Sequence, residues 1–135
     1  MRFQMIELRK VLNNYLKSIH PRVFFQTAPS DATFPYVVYD FPNISDDGEL
    51  QEIILIDIDG WDRPDNGDTM PLENLMASID GDGDLINPTG LNKRTLAAEK
   101  IAVSLYLETK LPLTDTDPLI KRRKYTYQAK LFNLG

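Results

Sequence analysis

No cysteine occurs in the 135 residues. Disulfide scaffolds, zinc–thiolate centres and cysteine nucleophiles are therefore excluded. A single histidine, His20, rules out a multi-histidine metal centre within one chain. No apolar run approaches the roughly 20 residues that a membrane helix needs. The opening Met1-Arg2-Phe3-Gln4-Met5-Ile6-Glu7 has no apolar core ahead of a small-residue cleavage site, so no signal peptide is expected and the expected compartment is the cytoplasm. There is no G-x-S-x-G elbow, no P-loop and no dinucleotide fingerprint.

What is present fits one domain spanning residues 1–135. Hydrophobic residues make up 42% and charged residues 26%, the balance of a globular chain rather than a disordered one. The net charge of -5 hides a segregation along the chain. Residues 1–39 hold five basic and two acidic side chains, residues 40–84 hold fourteen acidic side chains against Arg63, and residues 119–135 hold five basic ones and no acid. Two outcomes are open. The basic and acidic segments neutralise each other within one fold, or they meet between copies.

Periodicity gives the elements. Leu8, Val11, Leu12, Tyr15, Leu16 and Ile19 make one helical stripe, which His20-Pro21 ends. Residues 22–26 and 34–41 read as strands, with Pro35 at the start of the second. In the strand from Leu50 to Trp61, Ile54, Ile56 and Ile58 point one way and Leu55, Asp57 and Asp59 the other. Pro71 opens a second helix carrying Leu72, Leu75, Met76 and Ile79, which Gly81 and Gly83 end. Asp84 to Lys93 reads as irregular. A strand follows with Ile101, Val103, Leu105 and Leu107 on one face, then an acidic turn from Pro112 to Pro118. The last strand runs from Ile120 to Phe132, with Tyr125, Tyr127 and Ala129 on one face. The expected fold class is α+β: a two-layer sandwich of a mixed or antiparallel sheet with two amphipathic helices on one face.

Motifs with chemical content are few. Asp80-Gly81-Asp82-Gly83-Asp84 opens like a calcium loop, but Leu85 and Leu91 stand where the EF-hand pattern needs glycine and glutamate. Asp57, Asp59 and Asp62 cluster near one strand end, as paired carboxylates for acid–base work would, and a solvated or subunit-facing sheet surface is the favoured reading. His20 reads as a capping or packing residue, and Trp61 as core or interface. Lys121-Arg122-Arg123-Lys124-Tyr125-Thr126-Tyr127 mixes basic and aromatic residues as a nucleic-acid surface does. The acidic overall balance argues against a strong nucleic-acid binder, and a charged sheet surface is preferred.

Three stretches carry a family resemblance: residues 16–29 (LKSIHPRVFFQTAP), 32–40 (ATFPYVVYD) and 117–127 (DPLIKRRKYTY). With the central Ile56-Asp57-Ile58-Asp59-Gly60-Trp61-Asp62, they resemble the tail completion proteins of long-tailed, non-contractile bacteriophages. The resemblance is nearest to the tail-to-head joining proteins of phages of Gram-positive hosts, which are similar in fold to tail terminators. It implies a structural virion protein and not an enzyme. Such a protein forms a hexameric ring that caps the head-proximal end of the tail tube and docks on the head connector, with DNA passing through. The implied partners are further copies of itself, the tail tube protein, the head connector or head completion protein, and DNA transiently. No membrane, cofactor or metal is implied. The expected location is the head–tail junction of the virion, with the host cytoplasm during assembly.

Charge supplies the interface candidates: Asp46, Asp47, Glu49, Asp57, Asp59 and Asp62 on one side, Arg122, Arg123 and Lys124 on the other. An acidic face lining the lumen would repel phosphates and let DNA slide. On this reading Arg122→Glu with Arg123→Glu weakens ring assembly and leaves the monomer folded.

Overall fold

The computed structural model describes residues 2–42 and 53–134, with side chains from Met5 onward. Helix α1 (Arg2–Ile19) begins earlier than its apolar stripe. Leu8, Leu12 and Leu16 are buried from its inner face, and Val11, Tyr15 and Ile19 pack along the margin. Strand β1 (Val23–Phe25) follows the His20-Pro21 stop and pairs in parallel with β2 (Tyr36–Asp40). Antiparallel pairing then carries the sheet through β3 (Ile53–Asp62) to β6 (Lys121–Asn133), β5 (Ile101–Leu113) and β4 (Thr95–Ala97). The spatial order is β1-β2-β3-β6-β5-β4, one mixed six-stranded sheet.

Helix α2 (Met70–Asp80) lies over the central pair, β3 and β6, while α1 touches β1, β4 and β5. The sheet therefore curls so that both of its edges approach α1. The core is the layer between: Leu72, Met76 and Ile79 of α2 meet Ile54, Ile56 and Ile58 of β3 and Tyr125, Tyr127 and Ala129 of β6. At full burial each large aliphatic side chain contributes about 1.5–3 kcal/mol, so this layer supplies most of the driving force. The α+β two-layer arrangement and the expected alternation of β3 and β6 hold residue for residue.

Two elements differ from the sequence reading. β4 was not anticipated, because Thr95–Ala97 is too short to show a period. β5 runs on to Leu113, placing Pro112 in a strand rather than in a turn. A register shift between Leu107 and Thr109 interrupts the alternation within this strand. A bulge sets two residues against one and reverses the phase of alternation beyond it. Lys110 then pairs with Tyr125 on the helix side, and Leu111 stands beside Lys124 on the other. Pro112 is tolerated because β4 pairs only with Ala102–Ser104, leaving the far half of β5 an edge.

Helix α2 ends at Gly81, whose φ of 80° suits only glycine without strain. The chain then returns along the helix end: Leu91 N–H donates to Ile79 O at 2.8 Å and Asn92 N–H to Asp80 O at 3.0 Å. This return needs Gly90, where a Cβ would stand 2.3 Å from the Asp80 carbonyl carbon. Backbone has no rotamer with which to yield. Gly90→Ala is expected to cost about 1–3 kcal/mol through overpacking, read as a lower urea midpoint with unchanged slope.

Candidate functional site

One face of the sheet carries the helices; among the described residues no layer covers the other. On this open face β3 and β6 set Trp61 opposite Arg122, Asp59 opposite Lys124 and Asp57 opposite Thr126. The ion pairs run along the diagonal, one step from the direct partners. Arg122 Nη2 donates to Asp59 Oδ2, and Lys124 Nζ lies 3.3 Å from Asp57 Oδ2. Thr126 Oγ1 donates to Asp57 Oδ1 at 2.7 Å. The charge segregation of the sequence thus folds into neighbouring strands, and the first of its two outcomes, neutralisation within one fold, holds for these residues.

The remaining candidates are dispersed. Arg123 stands on the helix side and pairs with Glu73 of α2. Asp62 also faces the helix side, buried, with Oδ1 accepting the Arg63 backbone N–H at 2.9 Å. Asp57, Asp59 and Asp62 therefore do not converge on one point. Asp46, Asp47 and Glu49 lie outside the described residues. His20 packs as expected: its Nε2 donates to Pro35 O at 2.9 Å, beside Arg22 Nε at 3.0 Å from the same oxygen. In the acidic turn after α2, Asp82 Oδ1 accepts the Asp84 N–H at 3.0 Å, and hydrogen bonds of this kind hold its carboxyl below the ordinary range. Among the described residues no group of three or more His, Asp or Glu side chains is placed to hold a metal ion.

Aromatic residues complete the open face. Tyr36 of β2 pairs directly with Trp61, their rings stacked at 5.9 Å and 12°. Phe34 and Phe24 extend the row at 5.1 and 6.0 Å from Tyr36. At its other end the Arg122 guanidinium lies 3.9 Å over the Trp61 ring. A cation so placed is held by the ring quadrupole as well as by Asp59. Beyond this cluster, Ile53, Tyr106, Leu111 and Phe132 expose 40–49% of their surface. Their strand positions put them on the same open face.

A cleft of about 280 Å³ lies between Gln26–Ala28, in the β1–β2 connection, and Tyr36, Asp59, Trp61 and Arg122. Three polar atoms of these residues are shielded without a hydrogen-bond partner: Asp59 Oδ1, Trp61 Nε1 and Arg122 Nε. Burial pushes the Asp59 carboxyl up, against the opposing pull of the Arg122 hydrogen bond and charge. A carboxylate already bonded to a guanidinium is a poor general base. A second cleft, about 370 Å³, opens between α1 and β1, where Arg9 stacks 4.0 Å over Phe25.

Sequence reasoning named Asp59 and Arg122 for their charge but not Tyr36, and took Trp61 only as core or interface. The alternation Asp57, Asp59, Trp61 already put the indole on the open face. Tyr36 needed the β2–β3 register, which no local signal supplies.

The internal pairing also changes one expectation. Reversing Arg122 and Arg123 sets a glutamate beside Asp59 and another beside Glu73. Arg122→Glu with Arg123→Glu should therefore lower folding stability by about 2–4 kcal/mol, most of it from the better-shielded Arg122–Asp59 pair. Urea denaturation of the double variant reads this directly. No protein-family model matches the chain, and no curated protein matches it.

Proposed function

We propose that this chain is a structural virion protein that caps the head-proximal end of a phage tail tube as a hexameric ring. In this reading it joins the tail to the head connector, and DNA passes through the ring. Its partners are its own copies, the tail tube protein and a head connector or head completion protein. The observation that carries the reading furthest is the sheet face that no layer of the described residues covers. A layered domain normally buries its apolar surface against a second layer. Here one face keeps Ile53, Tyr106, Leu111 and Phe132 exposed around a neutralised set of ion pairs. Such a surface, apolar with its charges already balanced, suits burial against another protein subunit.

The helix side supports a directional assembly. Asp65, Asp68, Asp82 and Asp84 are exposed in the loops that flank α2, while Arg9, Lys10 and Lys17 are exposed along α1. Opposite charges on separate regions favour head-to-tail contacts, which close into rings. They also move the acidic surface: the carboxylates Asp57 and Asp59 are matched by cations, so a phosphate-repelling surface is better sought at the α2 loops. A nucleic-acid-binding module built on β6 is the alternative. It is less favoured because Arg122, Arg123 and Lys124 are each held by a carboxylate.

Inactivating the gene in its phage and imaging the lysate tests the reading. DNA-filled heads beside separate tails of normal length are the expected result. Over-long tubes would assign the protein to termination of tail growth instead, and intact infectious particles would overturn the proposal.

A further inference from the structure

The loop between α2 and β4 carries Leu85 and Ile86, 68% and 85% exposed, more than any other large apolar side chain among the described residues. The loop that presents them is tied by its own hydrogen bonds. Asp82 Oδ1 accepts the Asp84 N–H and Asp84 Oδ1 accepts the Ile86 N–H, each at 3.0 Å, and Thr89 Oγ1 accepts the Asp82 N–H at 2.9 Å. Arg94 ties the far side, donating to Pro88 O at 2.7 Å and to Gly90 O at 2.9 Å. A single exposed apolar side chain is ordinary. Two adjacent ones, held on a bonded loop beside the exposed carboxylates of Asp82 and Asp84, make a preformed knob.

The cleft between α1 and β1 has the matching chemistry. Ile6, Phe25 and Tyr39 supply apolar lining, and the exposed Arg9 and Lys10 line it as well. Among the described residues no carboxylate lies within ion-pair distance of Arg9. Lys10 has Glu7 at 3.7 Å, but its own side chain is 67% exposed, and such a pair is weak. A cavity of roughly 150 Å³ takes in one benzene, so the cleft, about 370 Å³, has room for two aliphatic side chains. Within one chain the knob and the cleft stand apart. The cleft lies at β1, one edge of the sheet, and the loop leads into β4, the other edge. Arg9 and Asn13 flank the buried row Leu8, Leu12 and Leu16 on one side of α1, and Tyr15 flanks it on the other. Arg94, which holds the knob's loop, lies 5.1 Å over the Tyr15 ring.

We infer that the α1–β1 cleft of one copy receives the Leu85–Ile86 knob of a second copy, with Asp82 and Asp84 set against Arg9 and Lys10. The inference rests on the reading of the chain as a ring subunit, and it names the helix-side contact that gives the ring its direction. Knob and cleft are complementary in both apolar surface and charge, and the two kinds of match lie together. The apolar side chains would exclude water from the ion pairs beside them, which strengthens the attraction. A free anion would match Arg9 and Lys10 but leave the apolar lining uncovered. Because each copy offers the knob at one sheet edge and receives at the other, the contact is heterologous, the kind that closes into a ring.

The chain has no cysteine, so introduced cysteines report contact without background. Full-length Ile86→Cys is mixed with full-length Ile6→Cys under mild oxidation, and with Leu119→Cys as a control position elsewhere on the surface. All three side chains are exposed, so none of these changes opens a cavity in the core. The expected result is a disulfide-linked pair of chains that forms at least tenfold faster with Ile6→Cys than with the control. In parallel, analytical ultracentrifugation follows self-association of the wild type and of Leu85→Ser with Ile86→Ser, which should associate at least tenfold more weakly. A selective cross-link in protein that otherwise sediments as a monomer would support the contact as a weak one. Wild-type association without a selective cross-link would overturn the knob-in-cleft contact and leave the ring reading standing on its sheet face. So would association that the double variant leaves unchanged. A wild type that stays monomeric at every concentration, with no selective cross-link, would overturn the second copy as occupant and count against the ring reading as well.

Discussion

The antiparallel register of β3 on β6 is the constraint on which the rest of the structure depends. Because side chains alternate along a strand, that single alignment settles both faces at once. It gives Ile54, Ile56 and Ile58 to the helices together with Tyr125, Tyr127 and Ala129. In the same stroke it sets Asp57, Asp59 and Trp61 beside Thr126, Lys124 and Arg122 on the open side. A slip of β3 by one residue would turn Asp57 and Asp59 toward α2 and expose the isoleucines. The hydrophobic core and the charged cluster are thus two consequences of one pairing, and neither can be altered without the other.

This pairing also sets acidic residues of β3 beside basic residues of β6, so Asp57 and Asp59 are screened at close range by Lys124 and Arg122. Partly shielded pairs of this kind hold register more than they add stability, since desolvation offsets much of the attraction. Arg122 shows the division of labour. One face of its guanidinium rests on Trp61, one nitrogen bonds Asp59, and Nε is shielded without a hydrogen-bond partner.

Most of the architecture was legible in the sequence, because it is written in period. The α1 stripe, the α2 stripe and the alternation in β3 and β6 each repeat enough times to be read. The misses have physical causes. A three-residue strand such as β4 has no period, and a bulge such as that after Leu107 breaks the one that β5 has. The candidate site was legible only in part. Charge drew attention to Asp59, Arg122 and Lys124, but it also drew attention to Asp62 and Arg123, which the pleat sends to the other face. What turned scattered charges into a site, the stack of Tyr36 on Trp61 under Arg122, is a property of three strands brought together from distant parts of the chain. No local rule anticipates it.

The central claim is that the face left bare by the two helices is where copies of this chain meet. Electron cryomicroscopy of the head–tail junction in the particle that carries the protein tests it most directly. The account predicts a sixfold ring of this α+β fold at the end of the tail tube, with the Trp61 face of each copy buried against its neighbour. A particle that lacks the protein, or a ring in which that face stays open to solvent while the copies touch elsewhere, would contradict it.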